Sequence, residues 1–346
     1  MMRLWGALVA LGLGLALPSC QTESDRPESA GEVVLARDTA GAPRQSGASA
    51  GVKNFVLKWR AGDVFRYRIE QISEGGVDTA RTTSKTTHWY TRTVRAVRSD
   101  GSYETVVRFD SISASGSVKS LRSGATLVEQ SYSSTDTSET SKRRYPQFAS
   151  IIGEDVVIYM SSDGKVEQVG DVAPIIKKIG VLAGQPLTEQ ITDQLTAQVK
   201  TSVFAAIMLQ EFVPYPKQGL DANASWVNDQ VSPLGEYFAL ETKASYALSS
   251  VYRVRDHRIG VIGATIAGGV RVLPMPANSP LRINITSSSI TGSSKAVVDV
   301  DRGITLSKRN TISMSMSGIV QSPAMKTLGE KISQSQSSIT TIELIR

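Results

Sequence analysis

A single cysteine, Cys20, occurs in the 346 residues, and it stands just behind an apolar run. That run, Leu4 to Leu17, comes after the lone cation Arg3 and is fourteen residues long. A helix needs about 20 residues to span about 30 Å of hydrocarbon, so the segment is too short for a permanent anchor and has the order of an export signal. The rest of the chain is expected to fold outside the cytoplasm without one disulfide, since exported domains carry thiols in pairs or dispense with them. Burial and hydrogen bonding alone must hold such a fold.

Leu17, Pro18, Ser19 and Cys20 fill the positions of a bacterial lipobox, in which the cysteine thiol is diacylated and the leader, here residues 1–19, is removed. Proline in the second place departs from the commonest pattern. The alternative is a secretory peptide cut nearby that leaves a free thiol. At about 0.8 kcal/mol per buried CH₂, two or three acyl chains anchor a protein durably. The expected partner is therefore a membrane, reached through lipid on Cys20. The longest later apolar stretch, Val203 to Leu209, is far too short to span. Gln21 is not the Asp that favours inner-membrane retention in some Gram-negative bacteria, so the expected place is the cell envelope, outside the cytoplasm, on the outer membrane rather than the inner.

Residues 20–52 comprise the acylated cysteine and a stretch rich in Ser, Ala, Gly, Pro and charge, without aromatic residues or hydrophobic period. Such a segment buries too little apolar surface to offset its ordering entropy, and reads as a flexible linker. As a coil it spans about 30 Å on average and roughly 110 Å at full stretch. From Lys53 onward the dominant period is two. In Asp63 to Ile72, Phe65, Tyr67 and Ile69 alternate with Arg66, Arg68 and Glu70, the pattern of a half-buried strand entered from the Gly62-Asp63 turn. Thr87 to Arg98 and Tyr103 to Ile112 form a hairpin about Asp100-Gly101, and Val156 to Met160 and Val166 to Val169 another about Asp163-Gly164. Residues 113–144, dominated by Ser and Thr, suit either edge strands or long loops.

The period then changes. Asp171 caps a short helix over Pro174 to Leu182, and a longer one runs from Leu187 to Phe212, with Leu187, Ile191, Leu195, Val199 and Val203 at four-residue steps until Pro214 and Pro216 stop it. This stripe is expected to pack on a sheet, or to face a ligand. Strand patterns return in Trp226 to Val231, Tyr237 to Val254, Arg258 to Val272, Leu281 to Thr291, Lys295 to Val300, Ile304 to Met316 and Ser338 to Ile345. The expectation is a mainly β, α+β fold: an antiparallel β unit over residues 53–170, a helical bridge over 171–213 packed on the sheet, and a second antiparallel β unit over 214–346. Thr93 to Ile112 and Val251 to Ile266 are each two strands about a polar turn, and Val156 to Val169 and Val297 to Arg309 each carry an acidic residue and a Gly turn, which suggests a weak internal duplication.

Motifs for catalysis fail on context. Gly47-Ala48-Ser49-Ala50-Gly51 has the G-x-S-x-G spacing of a nucleophile elbow but lies in the linker rather than on a strand-to-helix turn. Ser162 and Lys165 satisfy S-x-x-K but flank a tight Asp-Gly turn. Asp299, Asp301 and Gly303 resemble the start of a calcium loop that lacks its third acidic ligand and closing Glu, and read as a hairpin turn. The two histidines are His88, beside Trp89 and Tyr90 in a strand, and His257, in a polar turn, and neither has metal-ligand spacing. No catalytic residue, metal site or cofactor is nominated.

The chain resembles an uncharacterised family of bacterial lipoproteins. The likeness covers about residues 53–318 and rests on Gly62 and Asp63 before the first strand, Asp163 to Lys165 in the hairpin leading into the helices, Trp226 after the prolines, and Asp299 to Gly303 in a late hairpin. It implies a β-rich domain behind a lipobox and linker, and no activity.

Net charge is +6, from 38 basic and 32 acidic residues, with local clusters at Lys142-Arg143-Arg144-Tyr145 and from Lys53 to Arg68. These suit anionic headgroups or acidic envelope polymers, or simply a solvated strand face, and the compartment excludes nucleic acid. The expected function is non-catalytic: binding or structure in the envelope, with another envelope protein, a polymer or a hydrophobic ligand as partner. Two alternatives are a carrier holding a lipid between sheet and helix, and a hydrolase with dispersed residues.

Overall fold

The computed structural model describes residues 57–77, 79–184, 186–216, 224–234, 238–274, 282–321 and 330–345. The leader, Leu17, Pro18, Ser19 and Cys20, the linker and its G-x-S-x-G motif all lie outside the described residues. Among the described residues the fold is mainly β, 62% strand and 17% helix, in one large antiparallel sheet with a central helical run of 23 residues.

Long alternating segments give long strands. In chain order these are β1 (Val64–Val77), β2 (Ala80–Val97), β3 (Tyr103–Ser120), β4 (Thr126–Ser133), β5 (Asp155–Met160) and β6 (Val166–Val169). After the helices come β7 (Ser225–Leu234), β8 (Phe238–Val254), β9 (His257–Val272), β10 (Arg282–Asp299), β11 (Ile304–Gln321) and β12 (Glu330–Ile345). The spatial order is β6-β5-β3-β2-β1-β12-β11-β10-β9-β8-β7, with β4 also paired to β3. The two β units thus meet edge to edge where β1 pairs with β12, Tyr67 opposite Leu344 and Ile69 opposite Ile342. On the other side of β1, Tyr67 lies opposite Tyr90.

The Ser- and Thr-rich stretch 113–144 divides: its start prolongs β3, its middle makes β4, and its end is a one-turn helix, α1 (Glu139–Arg144), capped by Ser138. A second short helix, α2 (Pro146–Ala149), comes next. The segments 281–291 and 295–300, read as two strands, fall over their described residues in one strand, β10, which ends at Asp299. Gly292 and Ser294 of β10 sit between β9 and β11, opposite Ile266 and Ala264 on one side and Ile312 and Asn310 on the other, so the ladder runs through the small residues. Gly268 of β9 shows why this half of the sheet needs glycine. A Cβ there would come within 2.1 Å of the Glu241 carbonyl oxygen.

The inner face carries two apolar clusters. The larger joins both halves, from Val94, Phe109 and Ile158 to Leu248, Ile262 and Val298, beneath the helices. The smaller gathers Leu240, Val270, Ile290, Ile312, Met314 and Met316 from β8 to β11. Burying a side chain of this size contributes about 1.5–3 kcal/mol, so inner-face burial is the main stabilising term. Among the described residues no helix is long and apolar enough to cross a membrane.

Candidate functional site

The helical bridge begins with α3 (Ala173–Ala183), where Asp171 Oδ1 accepts from the Ala173 amide at 2.8 Å and Gly184 ends the helix in the left-handed region. The long run is then built in three parts. The first, α4 (Glu189–Gln198), is capped by Thr188, whose Oγ1 accepts from the Ile191 amide, and none of its residues is buried. Next comes a π-helical stretch, Val199–Ala205, which buries Val199, Val203 and Phe204. Last is α5 (Ala206–Glu211), which buries Ile207, Met208 and Glu211. Thr201 Oγ1 donates to the Ala197 carbonyl at 2.8 Å, the side-chain back-bond that loosens or bends a helix. Phe212 turns to extended backbone ahead of Pro214, a residue with no amide to continue the ladder.

The end of α5 is fastened to the sheet by buried charges. Arg92 of β2 and Glu211 are both fully buried, with Nη1 and Oε1 2.7 Å apart. Tyr90 Oη donates to Glu211 Oε2 at 2.7 Å, and Thr305 Oγ1 of β11 donates to the Glu211 carbonyl at 2.7 Å. Lys308 Nζ, also from β11, donates to the Gln210 and Phe212 carbonyls, each at 2.8 Å. These carbonyls lie at the negative end of the helix, where a cation is favoured. Tyr67 Oη completes the clasp by donating to the Thr305 carbonyl at 3.1 Å.

Arg92 is held more by its surroundings than by directed hydrogen bonds. Its guanidinium lies 4.2 Å from the Trp59 ring centre, 4.9 Å from Phe65 and 5.2 Å from Phe212, within cation–π range. Although the contact to Glu211 is close, none of the three guanidinium nitrogens has an aligned hydrogen bond. Burial opposes the charge on Arg92, and the Glu211 carboxylate more than reverses that, so its pKa is raised. Burial pushes Lys308 down to about 8, with Glu211 pulling the other way. The phenols of Tyr67 and Tyr90 are raised by burial and then by Glu211.

One layer below, on the same face of β2, His88 packs edge-on to Phe109 with ring centres 5.7 Å apart. Burial lowers its pKa to about 4. It borders a void of about 30 Å³ between sheet, α2 and the π-helical stretch, lined by Phe109, Ile112, Phe148 and Ile151 together with Gln71, Ser202 and Gln210. A void of this volume is the size of one water. The larger depression, about 600 Å³, is elsewhere, at the far ends of β1, β2 and β10–β12, and is lined by serines such as Ser289, Ser313 and Ser335.

Of the expected helix stripe, Val199 and Val203 enter the core, Leu187 and Leu195 pack against it, and Ile191 stays 44% exposed. His257 Nδ1 lies 3.1 Å from Asp299 Oδ2 at the surface, 48% exposed. The segment 299–303 is a hairpin turn: Asp299 Oδ1 accepts from the Asp301 and Arg302 amides, while Asp301 pairs with Arg258. Ser162 and Lys165 flank the Asp163-Gly164 turn, with Lys165 paired to Asp163. Trp226 stacks on Tyr246 and donates to the Pro214 carbonyl at 2.6 Å, fixing the exit from the helix. Among the described residues no group of three or more His, Cys, Asp or Glu could hold a metal ion.

Sequence reasoning missed Arg92, Glu211 and Lys308. The signal was present: Arg92 shares the inward phase of β2 with His88, Tyr90 and Val94, and Lys308 shares that of β11 with Ile312 and Met314. A charge on the apolar phase of a strand marks a buried partner.

Residues 100–255 match a family of unknown function, DUF6263. The match covers less than half of the chain and takes in α1–α5 with Glu211, but not Arg92 or Lys308. No curated protein matches the chain in sequence. Among solved structures, the chain is similar to lipovitellin, described for its lipid–protein interactions, at 9% identity and a TM-score of 0.43, over 84% of this chain and 26% of that one. It thus spans about a quarter of the lipovitellin chain. It is also similar to an outer membrane channel from Pseudomonas putida F1, at 10% identity and 0.21, over 84% of this chain and 98% of that one. The transport unit of the Escherichia coli autotransporter AIDA-I gives 7% and 0.23, over 93% and 100%. At such scores function does not carry across.

Proposed function

We propose that this is a lipid-anchored protein of the bacterial cell envelope, outside the cytoplasm, whose domain binds a partner or ligand and performs no catalysis. The apolar leader and Cys20 support the anchor, and Gln21 supports the outer membrane over the inner. What supports a holding rather than a reacting role is the complete burial of Arg92 and Glu211: the strongest cluster of ionisable groups fastens a helix to a sheet and has no face toward solvent. The test is fractionation. Cys20→Ser moves the protein from membrane to soluble fraction with its thermal unfolding unchanged, whereas a variant still held in the membrane overturns the anchor.

A second reading makes the domain a carrier of a hydrophobic molecule between sheet and helix. The void beneath the π-helical stretch, walled by Phe109, Ile112, Phe148 and Ile151, favours it. Native mass spectrometry of protein taken from membranes then finds a releasable lipid beyond the covalent one, and a protein of bare mass speaks against it.

A further inference from the structure

We infer that the domain docks on anionic phospholipid headgroups through the end of the sheet at which the linker joins it, with Arg253 and Arg255 of the β8–β9 hairpin as the contact. The inference rests on the lipid-anchor reading and gives the anchored domain an orientation and a second hold on its bilayer.

The hairpin is both strained and overcharged. Val254 lies opposite His257, so β8 and β9 are joined by only two residues, Arg255 and Asp256. Arg255 has a φ of 52°, and it is the one described residue other than glycine with a positive φ. The first loop position of such a hairpin ordinarily goes to Gly or Asn, because a larger side chain is crowded there. Arginine is thus held at the apex against local preference, and strain of this kind persists where the side chain has a use. One step below, Arg253 stands directly opposite Arg258, and like charges so placed weaken a strand pair. Arg258 is answered by Asp301, with Nη2 and Oδ1 2.6 Å apart, whereas Arg253 and Arg255 are exposed and form no ion pair among the described residues. The nearby acids are engaged elsewhere, Asp299 with His257 and Asp63 with Arg302, and the acid of the apex itself is Asp256.

The chain enters the domain beside this hairpin. The Lys58 amide donates to the Arg302 carbonyl at 3.1 Å and the Val300 amide to the Arg258 carbonyl at 2.9 Å, so the start of the fold, the β10–β11 turn and the β8–β9 hairpin are neighbours. Lys58 and Arg60, both exposed, add to the same positive end. A coiled linker holds this end within about 30 Å of the acylated cysteine on average, which sets an effective headgroup concentration in the millimolar range. Each Lys or Arg at an anionic surface then adds roughly fivefold to binding, over a screening length of about 8 Å. The charge of the patch, the place where the linker joins and the strained apex all fit one occupant, the anionic face of the bilayer that holds the lipid.

The test uses the full-length acylated protein, purified from membranes, in bilayer discs of phosphatidylcholine with or without phosphatidylglycerol. Acylation blocks the native thiol, so a fluorescent donor goes on Ser250→Cys beside the hairpin, or on Ser123→Cys past the far end of β3, a strand of 18 residues or about 60 Å. Energy transfer to an acceptor dye on the headgroups is measured. Transfer from position 250 is expected to rise at least threefold when phosphatidylglycerol is present and to fall back in high salt, while transfer from position 123 stays low. Arg253→Ser with Arg255→Gly is expected to abolish the rise and to melt no lower than the parent, since Gly relieves the positive φ; Arg255→Asn replaces Arg255→Gly if that variant does not fold. Arg143→Ser with Arg144→Ser, in the other basic cluster, is expected to leave the rise intact. No rise, a rise that survives the loss of Arg253 and Arg255 in folded protein, or one that is lost with the other cluster overturns the docking. Protein that carries no acyl chain overturns the anchor reading instead. Mixed at low salt with vesicles of the same two compositions, that protein still tests the hairpin: sedimentation that requires phosphatidylglycerol, Arg253 and Arg255 supports it, and no sedimentation overturns it as well.

Discussion

At the scale of single residues, the end of the helical run is fastened to the sheet by a charge pair that water cannot reach. Removing one partner of a buried pair strands the other, at a cost of about 3–5 kcal/mol. Arg92→Ala and Glu211→Ala are each expected to lose that much in chemical denaturation. The double replacement Arg92→Met with Glu211→Leu should recover most of it, because both charges of the pair go together and Lys308 keeps its bonds to the Gln210 and Phe212 carbonyls. If the double variant is as unstable as the sum of the singles, the pair is not coupled. His88 sets the acid side. Its folded pKa, about 4, lies below the ordinary histidine value of 6.5 because burial disfavours the imidazolium. The unfolded chain therefore binds a proton first as pH falls, and stability declines from about pH 6.5 down to about pH 4. His88→Asn removes that part of the decline in melting temperature measured against pH; an unchanged profile would mean that the imidazole charges freely in the folded protein.

At the scale of elements, the alternation of Phe65, Tyr67 and Ile69 made β1 legible, and the Asp100-Gly101 and Asp163-Gly164 turns placed two hairpins, since turn chemistry and period two are local properties. The four-residue stripe from Leu187 to Val203 found the long helix, and the prolines at 214 and 216 fixed its end. What escaped was set by distance along the chain. Arg92 meets Glu211, and Tyr67 meets Thr305, across separations that no local period encodes. The passage of β10 through Gly292 was hidden for a related reason: it is neighbouring strands, not intrinsic propensity, that keep Gly and Ser residues in the ladder. Gly268 gives this dependence a test. Gly268→Ala places a methyl group where the Glu241 carbonyl already sits, and the expected loss is at least about 2 kcal/mol, read as a lower denaturant midpoint; a neutral result would show that β8 and β9 separate easily there.

At the scale of the molecule, the β1–β12 seam makes the residues before and after the helices parts of one sheet. Ile342 is fully buried at this seam, and Ile342→Ala is expected to cost about 2–5 kcal/mol. Near-UV circular dichroism and tryptophan fluorescence should then report the loss in the same transition, since Trp59 and Trp226 lie on opposite sides of the helices in sequence and share the larger core; two separate transitions would show the halves to be independent. A sheet of this extent needs no disulfide, in keeping with a chain whose single thiol precedes the fold. The function proposed for it depends on that thiol. Intact-mass measurement of the native protein is the most direct test: the account predicts a mature chain that begins at Cys20 and carries two or three acyl chains, and an unmodified sulfhydryl at position 20, or a leader still attached, would contradict it.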